Sequence, residues 1–326
     1  MRQLLDIRIG TMIRAHDPDP SAYVRQIVGY GFESIEPFFW QTINKDLPQL
    51  ATQLRDAIGD ADVTIDTLGM FGNPLEEGDL DRQTLAGWEA LIDNAHHFGA
   101  RTVAGFTGRV RGEPIEASLP AFKRVWGELS RRAADKGVRI AFENCAMGGN
   151  WASGDWNIAH NPDAWELIFN AVPSDNLGLE WEPCHQLVYL IDPLPQIRKW
   201  ASKFFHVHGK DATVRWDVVR EHGVFGKYPF VQMRTPGFGD TDWTRVISEL
   251  RLAGYVGTID IEGWHDPVYR EELARAWLSQ GMPRRRALRA QCGLRALRPM
   301  ARQKKQRRRQ AGTDVGRSPF PGANGR

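Results

Sequence analysis

Cysteine is scarce in this chain, three in 326 residues: Cys145, Cys184 and Cys292. They are far apart and odd in number, so they build neither a disulfide framework nor a CxxC metal site. Cys145 and Cys184 read as buried, reduced thiols. No run of about 18 apolar residues occurs, which argues against a membrane-spanning helix. The opening Met-Arg-Gln-Leu-Leu-Asp has no signal-peptide core, so the expected location is cytoplasmic. The glycine-rich phosphate turn of a dinucleotide-binding sheet is missing as well; after the first apolar run the chain reads Gly10-Thr-Met-Ile-Arg-Ala-His16. Net basic charge is absent from the body. Residues 281–326 hold 14 Lys/Arg and one acid, Asp314, which leaves 28 basic and 39 acidic residues, about −11, in residues 1–280. An acidic body disfavours a phosphate-backbone binder.

What is present is a regular alternation of short apolar runs with longer amphipathic ones. The runs Leu5–Gly10, Phe32–Glu36, Val63–Leu68, Thr102–Thr107, Arg139–Asn144, Leu177–Glu182, Phe204–His208 and Thr258–Glu262 read as strands. Between and after them, Pro20–Gly31, Lys45–Ile58, Asp81–Phe98, Ile115–Lys136, Pro162–Asn170, Pro193–Ala201, Trp243–Gly254 and Glu271–Ser279 read as helices, the first with Asp19-Pro20 as cap and first-turn proline. Eight strand-then-helix units predict an α/β fold closed as a (β/α)8 TIM barrel over residues 1–280. Asp211–Gly239 is expected to be a long loop. Residues 281–326, with Arg284-Arg-Arg and Lys304–Arg309, read as a basic, largely unstructured C-terminal tail.

Four of the strands end in chemistry. Residues 139–144 place Glu143 before the glycines Gly148 and Gly149; the later runs end at Glu182, His208 and Glu262. A charge at the end of a buried strand is costly without compensation. In a barrel the site lies at the C-terminal strand ends. Three carboxylates and an imidazole at four successive ends therefore predict one divalent-metal site, with oxygen-rich donors suited to Mn, Mg or Co and compatible with Zn. The alternative for each residue alone is a rim salt bridge. Period-two alternation puts His206 and His208 on one face; His208, nearer the mouth, is the expected ligand and His206 a packed neighbour. His185, three residues after Glu182, either bonds a substrate hydroxyl or lies in a surface loop. Lys210 either neutralises substrate charge or pairs with Asp211 at the rim. His265 and Asp266 trail Glu262 as supporting groups. Phe38, Phe39, Trp40, Trp151, Trp156, Trp181, Trp216 and Trp264 form either an aromatic wall for a substrate, with Trp181 and Trp264 as the contacts, or ordinary packing between barrel and helices.

Strand-end Glu143, the Glu182-x-x-His185 turn, His208-x-Lys210-Asp211, terminal Glu262 and the Gly72-Asn73-Pro74-Leu75 loop resemble the xylose-isomerase-like TIM-barrel superfamily, most closely its sugar phosphate isomerase/epimerase branch, over about residues 5–280. The resemblance implies that Glu143, Glu182, His208 and Glu262 bind the metal, that Glu143 and Glu262 double as the catalytic acid/base pair, and that His185 contacts substrate. It implies a metal-dependent sugar or cyclitol isomerase or epimerase working through a cis-enediolate. An inosose-type dehydratase and a C-glycoside deglycosidase catalytic subunit are alternatives within the superfamily; an endonuclease IV-like repair enzyme and a non-catalytic sugar-binding barrel stand further off. The partners expected are a small-molecule sugar or cyclitol and a second copy of the chain, with no membrane and no nucleic acid. The chain departs from the family pattern at Glu182, where Asp is usual, and at Gly148–Ala152, which lacks the further Glu common in ketose 3-epimerases. The loop Asp211–Gly239 is also longer than usual.

Overall fold

The computed structural model describes residues 7–263 and 265–268. The chain begins with β1 (Arg8–Arg14), α1 (Pro20–Ile27), β2 (Ser34–Trp40), α2 (Leu47–Ile58), β3 (Thr67–Phe71), α3 (Asp79–Phe98) and β4 (Thr102–Gly105). It continues with α4 (Leu119–Asp135), β5 (Arg139–Glu143), α5 (Pro162–Ala171), β6 (Leu177–Trp181), α6 (Pro183–Val188), α7 (Pro193–Trp200) and β7 (Phe204–Gly209). Then come β8 (Asp211–Val214), α8 (Trp216–His222), β9 (Val231–Arg234), α9 (Trp243–Leu252) and β10 (Thr258–Ile261). Strands β1, β2, β3, β4, β5, β6, β7 and β10 close into one parallel barrel, with β10 returning to β1. The fold is thus the (β/α)8 TIM barrel read from the sequence. The expected helix Glu271–Ser279 and the basic tail lie outside the described residues.

Local chemistry explains the helix starts. Asp19, Asp46, Asn161, Asp192 and Asp242 each accept a backbone N–H of the first turn, and all but the last of these helices carry a proline at the first or second position. Proline there loses no helical hydrogen bond, and the cap satisfies a donor that would otherwise have no partner. Outward-facing strand residues are buried against the helices: Phe142 of β5 lies against Trp126 and Phe122 of α4, with ring centroids 4.6 and 5.8 Å away.

Two expectations change. β2 does not stop at Glu36 but runs to Trp40, pairing with β3 from Phe38 onward, so Glu36 sits in mid-strand inside the barrel. The stretch after β7 is not an open loop. β8 and β9 pair as an antiparallel hairpin, Asp211 opposite Arg234 through Val214 opposite Val231, with α8 between them. The Asp211 carboxylate gathers this excursion: it accepts from the backbone N–H of Gly237, Gly239 and Thr241 and from Trp243 Nε1.

Candidate metal centre

The period of two decides what faces the barrel axis. Register couples Glu143 to Glu180, Glu180 to His206 and His208 to Asp260 across successive strands, and partners in register share a face. The same alternation turns Leu179, Trp181, Val207 and Ile259 outward. The strand ends are fixed by two asparagines. Asn144 donates from Nδ2 to the Glu182 carbonyl at 2.9 Å and accepts the Glu182 N–H at 2.7 Å. Asn157 donates to the carbonyls of Glu143 and Cys145, each at 2.7 Å. Neither asparagine stood out in the sequence. Asn144 directly follows Glu143, and that adjacency to a proposed ligand was the available signal.

Glu143, Glu182, His208 and Glu262 are all buried, and one ligand atom from each lies within 4.8 Å of the others. His208 Nδ1 is 3.3 Å from Glu143 Oε1 and 3.9 Å from both Glu182 Oε2 and Glu262 Oε2. Oε2 of Glu182 and Oε2 of Glu262 are buried and accept no hydrogen bond from the described residues, whereas Glu182 Oε1 meets His185 Nε2. A buried carboxylate without partners costs several kcal/mol (~2–7 even for a neutral polar group). These oxygens lie among the converging donors, so the set fits a divalent cation.

Lys210 is buried beside this set. Its Nζ donates to Glu262 Oε1 at 2.8 Å and lies 3.7 Å from Glu182 Oε1 and 3.4 Å from His185 Nε2. Burial alone would raise the Glu262 carboxyl; the Lys210 ammonium, with His265 3.1 Å away, outweighs it and holds Glu262 well below the usual carboxylate range. Burial opposes the charge on Lys210, yet Glu262 keeps that ammonium protonated far above the ordinary lysine value. His185 is buried on α6 in contact with Glu182. Burial, reinforced by the neighbouring Lys210 charge, pushes its imidazole well below the usual value, so the ring is neutral.

The structure thus brings Glu143, Glu182, His208, Glu262, Lys210 and His185 together. The rim pair of Lys210 with Asp211 is not formed, because Asp211 is committed to the hairpin. Asp266 also serves that hairpin, accepting from the Thr235 N–H at 2.7 Å. Trp181 is corrected as a substrate contact. It is fully buried on the helix side of β6, stacked on Phe204 with its Nε1 donating to Gln196 Oε1 at 3.0 Å. Trp264 lies outside the described residues.

The opposite half of the mouth is apolar. Met12, Phe38, Phe71, Phe106 and Cys145 form a buried cluster against which Trp156 packs. Trp40 extends it, edge-on to Phe106 and tilted against Trp156 at 5.5 Å. Phe39 alternates outward, away from this wall, Trp151 donates to Glu116 instead, and Trp216 is exposed on α8. The mouth is therefore ionic over β5, β6, β7 and β10, and aromatic over β1 to β4. Among the described residues no helix is long and apolar enough to cross a membrane.

Comparison with known proteins agrees with this architecture. The rhizopine catabolism protein MocC of Rhizobium meliloti is 28% identical over 186 residues, which are 55% of this chain and 52% of that protein; the chain thus aligns with about half of that relative's length. The structure of 3-keto-D-glucoside 4-epimerase, YcjR, from E. coli superimposes with a TM-score of 0.61 at 15% identity, covering 84% of this chain and 97% of that one. The IOLI protein with a bound zinc atom superimposes with a TM-score of 0.62 at 16% identity, covering 88% and 98%. At such identities the structural matches speak for the fold alone. With residues 24–282 matching the family's sequence pattern, the chain belongs to the xylose isomerase-like TIM barrel family.

Proposed function

We propose that this protein is a divalent-metal-dependent isomerase or epimerase that moves a proton at a carbon next to a carbonyl of a sugar or cyclitol. The observation that carries the reading is the convergence of Glu143, Glu182, His208 and Glu262, with one oxygen each of Glu182 and Glu262 buried and accepting no hydrogen bond from the described residues, and Lys210 beside them. When bound, the cation would polarise a substrate carbonyl and its neighbouring hydroxyl, making the adjacent C–H acidic.

The protein's own residues divide the remaining work. Glu143 and Glu262 each reach His208 Nδ1, at 3.3 and 3.9 Å. One removes the substrate proton and the other returns it, to the opposite face in epimerisation or to the neighbouring carbon in isomerisation. Lys210 keeps Glu262 ionised, and its ammonium offsets negative charge developing on substrate oxygen. Neutral His185 offers a hydrogen bond to a substrate hydroxyl. The Phe38, Phe71, Phe106, Trp156 wall packs the apolar face of a sugar ring and excludes water.

The test is solvent exchange. The metal-loaded protein is incubated in D2O with ketoses, inososes and 3-keto-glycosides, and C–H exchange is followed by NMR. Exchange at one carbon alpha to a carbonyl is expected, and Glu143→Gln should slow it about 10²- to 10⁴-fold, the usual worth of a general acid or base, while the fold persists. Exchange undiminished in that variant would end this reading. Loss of water from the substrate would move the assignment to the dehydratase.

A further inference from the structure

Below the strand-end centre the barrel has a second polar layer. On three barrel strands, β6, β7 and β10, ligand-type residues recur at i and i+2: Glu180 with Glu182, His206 with His208, Asp260 with Glu262. The outer members make the centre described above. The inner members meet Glu36 of β2 in the barrel interior, and all four are at most 1% exposed. Such an interior is ordinarily filled by Val, Ile and Leu. Here room is kept for polar groups: a Cβ at Gly10 would overlap Asp260 Oδ1 and Ser34 Oγ, and one at Gly69 would come within 3.2 Å of Glu36 Oε1.

The inner groups converge on a point. His206 Nε2 is 3.1 Å from Glu36 Oε2, 3.8 Å from Glu180 Oε1 and 3.5 Å from Asp260 Oδ2. Edges of roughly 3.4 Å separate donors placed about 2.1 Å from a tetrahedral cation. His208 turns its other nitrogen inward, with Nε2 2.9 Å from Glu36 Oε2 and 3.1 Å from Glu180 Oε1. Hydroxyls saturate part of the layer. Thr67 and Thr258 each lie 3.1 Å from His206 Nδ1, and Ser34 and Thr258 donate to Asp260. Nevertheless Oε2 of Glu180 and Oε1 of Glu36 are buried and accept no hydrogen bond from the described residues. Three carboxylates face two imidazoles in this layer, and His208 Nδ1 is already claimed by the outer centre.

We propose that Glu36, Glu180 and His206 form a second divalent-cation site inside the barrel, separate from the strand-end centre, for a cation of the Zn2+ or Co2+ type. Glu36 Oε2 and Glu180 Oε1, 3.1 and 3.8 Å from His206 Nε2, supply two ligands and His206 Nε2 the third. His206 Nδ1–H then donates to Thr67 or Thr258, the outer-shell bond that fixes a metal-ligating tautomer. Asp260 stands beside the ring as the remaining counter-charge, and His208 Nε2–H donates to the Glu36 and Glu180 carboxylates, so the ring of His208 joins the two sites. The inner site is closed to solvent, so its ion enters as the barrel forms.

The test counts metal. Protein produced with added Zn2+ is gel-filtered in metal-free buffer, and zinc per chain is measured by atomic emission. The wild type is expected to hold two ions, Glu36→Gln/Glu180→Gln one, and Glu143→Gln/Glu262→Gln one. One ion in the wild type, or an unchanged count in Glu36→Gln/Glu180→Gln, overturns the proposal. Should that variant not fold, Glu143→Gln/Glu262→Gln still decides the matter: one retained ion upholds the inner site and none overturns it. The function proposed above stands or falls separately, on whether Glu143→Gln/Glu262→Gln loses an ion at all.

Discussion

Lys210 is the residue on which the electrostatics of the mouth turn. It brings a buried positive charge within reach of Glu182 and Glu262, where it repels a metal ion yet also keeps Glu262 free of the proton that would compete with one. The two effects separate with pH. In Lys210→Met, repulsion is gone, so Mn2+ binds more tightly at pH 8. Burial of Glu262 is then less opposed, and its carboxyl rises toward the neutral range. Protons therefore compete with the metal earlier as pH falls. Titration calorimetry should show Mn2+ affinity falling more steeply from pH 8 to pH 5 in the variant than in the wild type; parallel slopes would refute this role. Sequence reasoning placed Lys210 at the rim but left its partner open between substrate and Asp211. The tie was broken by the backbone donors of residues 237–241, which claim Asp211 and lie too far along the chain for spacing to reveal.

At the scale of elements, two loops frame the mouth, and each rests on one buried residue. The hairpin β8–β9 hangs on Asp211, whose side chain takes four backbone N–H groups, those of Ala212, Gly237, Gly239 and Thr241, and an indole N–H. Asp211→Ala leaves those donors bare, at about 1–3 kcal/mol for each that water cannot reach. A loss of at least about 3 kcal/mol in urea unfolding is expected, with faster proteolysis between residues 214 and 239; wild-type cleavage kinetics would contradict it. In the loop between β5 and α5, His160 is buried and stacked on Tyr189 at 5.3 Å. Burial, with the Arg109 charge, pushes its imidazole down from 6.5 to about 4. The unfolded chain therefore takes up the proton first, and stability present above pH 6.5 drains away as pH falls toward 4, by about 3 kcal/mol at ~1.4 kcal/mol per unit. Replacing His160 by Gln should flatten that part of the stability-against-pH curve; an unaltered slope would show that the loss arises elsewhere.

These elements also mark where the sequence was legible. Strands β5, β6, β7 and β10 end in charge directly after apolar residues, and period-two alternation puts His206 and His208 on one face, so the outer centre was readable. β2 was read as ending at Glu36 but runs on to Trp40, so the inward, mid-strand position of Glu36 was hidden. The pairs Glu180/Glu182 and Asp260/Glu262 repeat the spacing of His206/His208, and that repeat was the unused sign of a deeper polar layer. Trp181 was misplaced because composition gives no facing; the alternation that turns Glu180 and Glu182 inward turns the indole out.

For the molecule as a whole, the barrel spends its core on charge. Its interior between β5 and β10 holds carboxylates and imidazoles where most barrels hold aliphatic side chains, so much of its cohesion has to come from what those groups bind. Metal that binds only the folded state adds RT ln(1 + [M]/Kd), about 4 kcal/mol at roughly a thousandfold excess over Kd. Exhaustive chelation should accordingly lower Tm by several degrees, reversibly on adding Mn2+ back; a Tm indifferent to chelator would mean that the carboxylates are satisfied without a cation.

The account rests on one cation being shared by Glu143, Glu182, His208 and Glu262. Equilibrium dialysis of Mn2+ against the wild type and Glu182→Ala at pH 8 asks this most directly. Altering even an outer-shell partner of a metal site costs about 10- to 100-fold in affinity, so loss of a ligand should weaken one binding site by more than about 100-fold while circular dichroism stays that of a folded barrel. Binding of equal strength in the two proteins would contradict it.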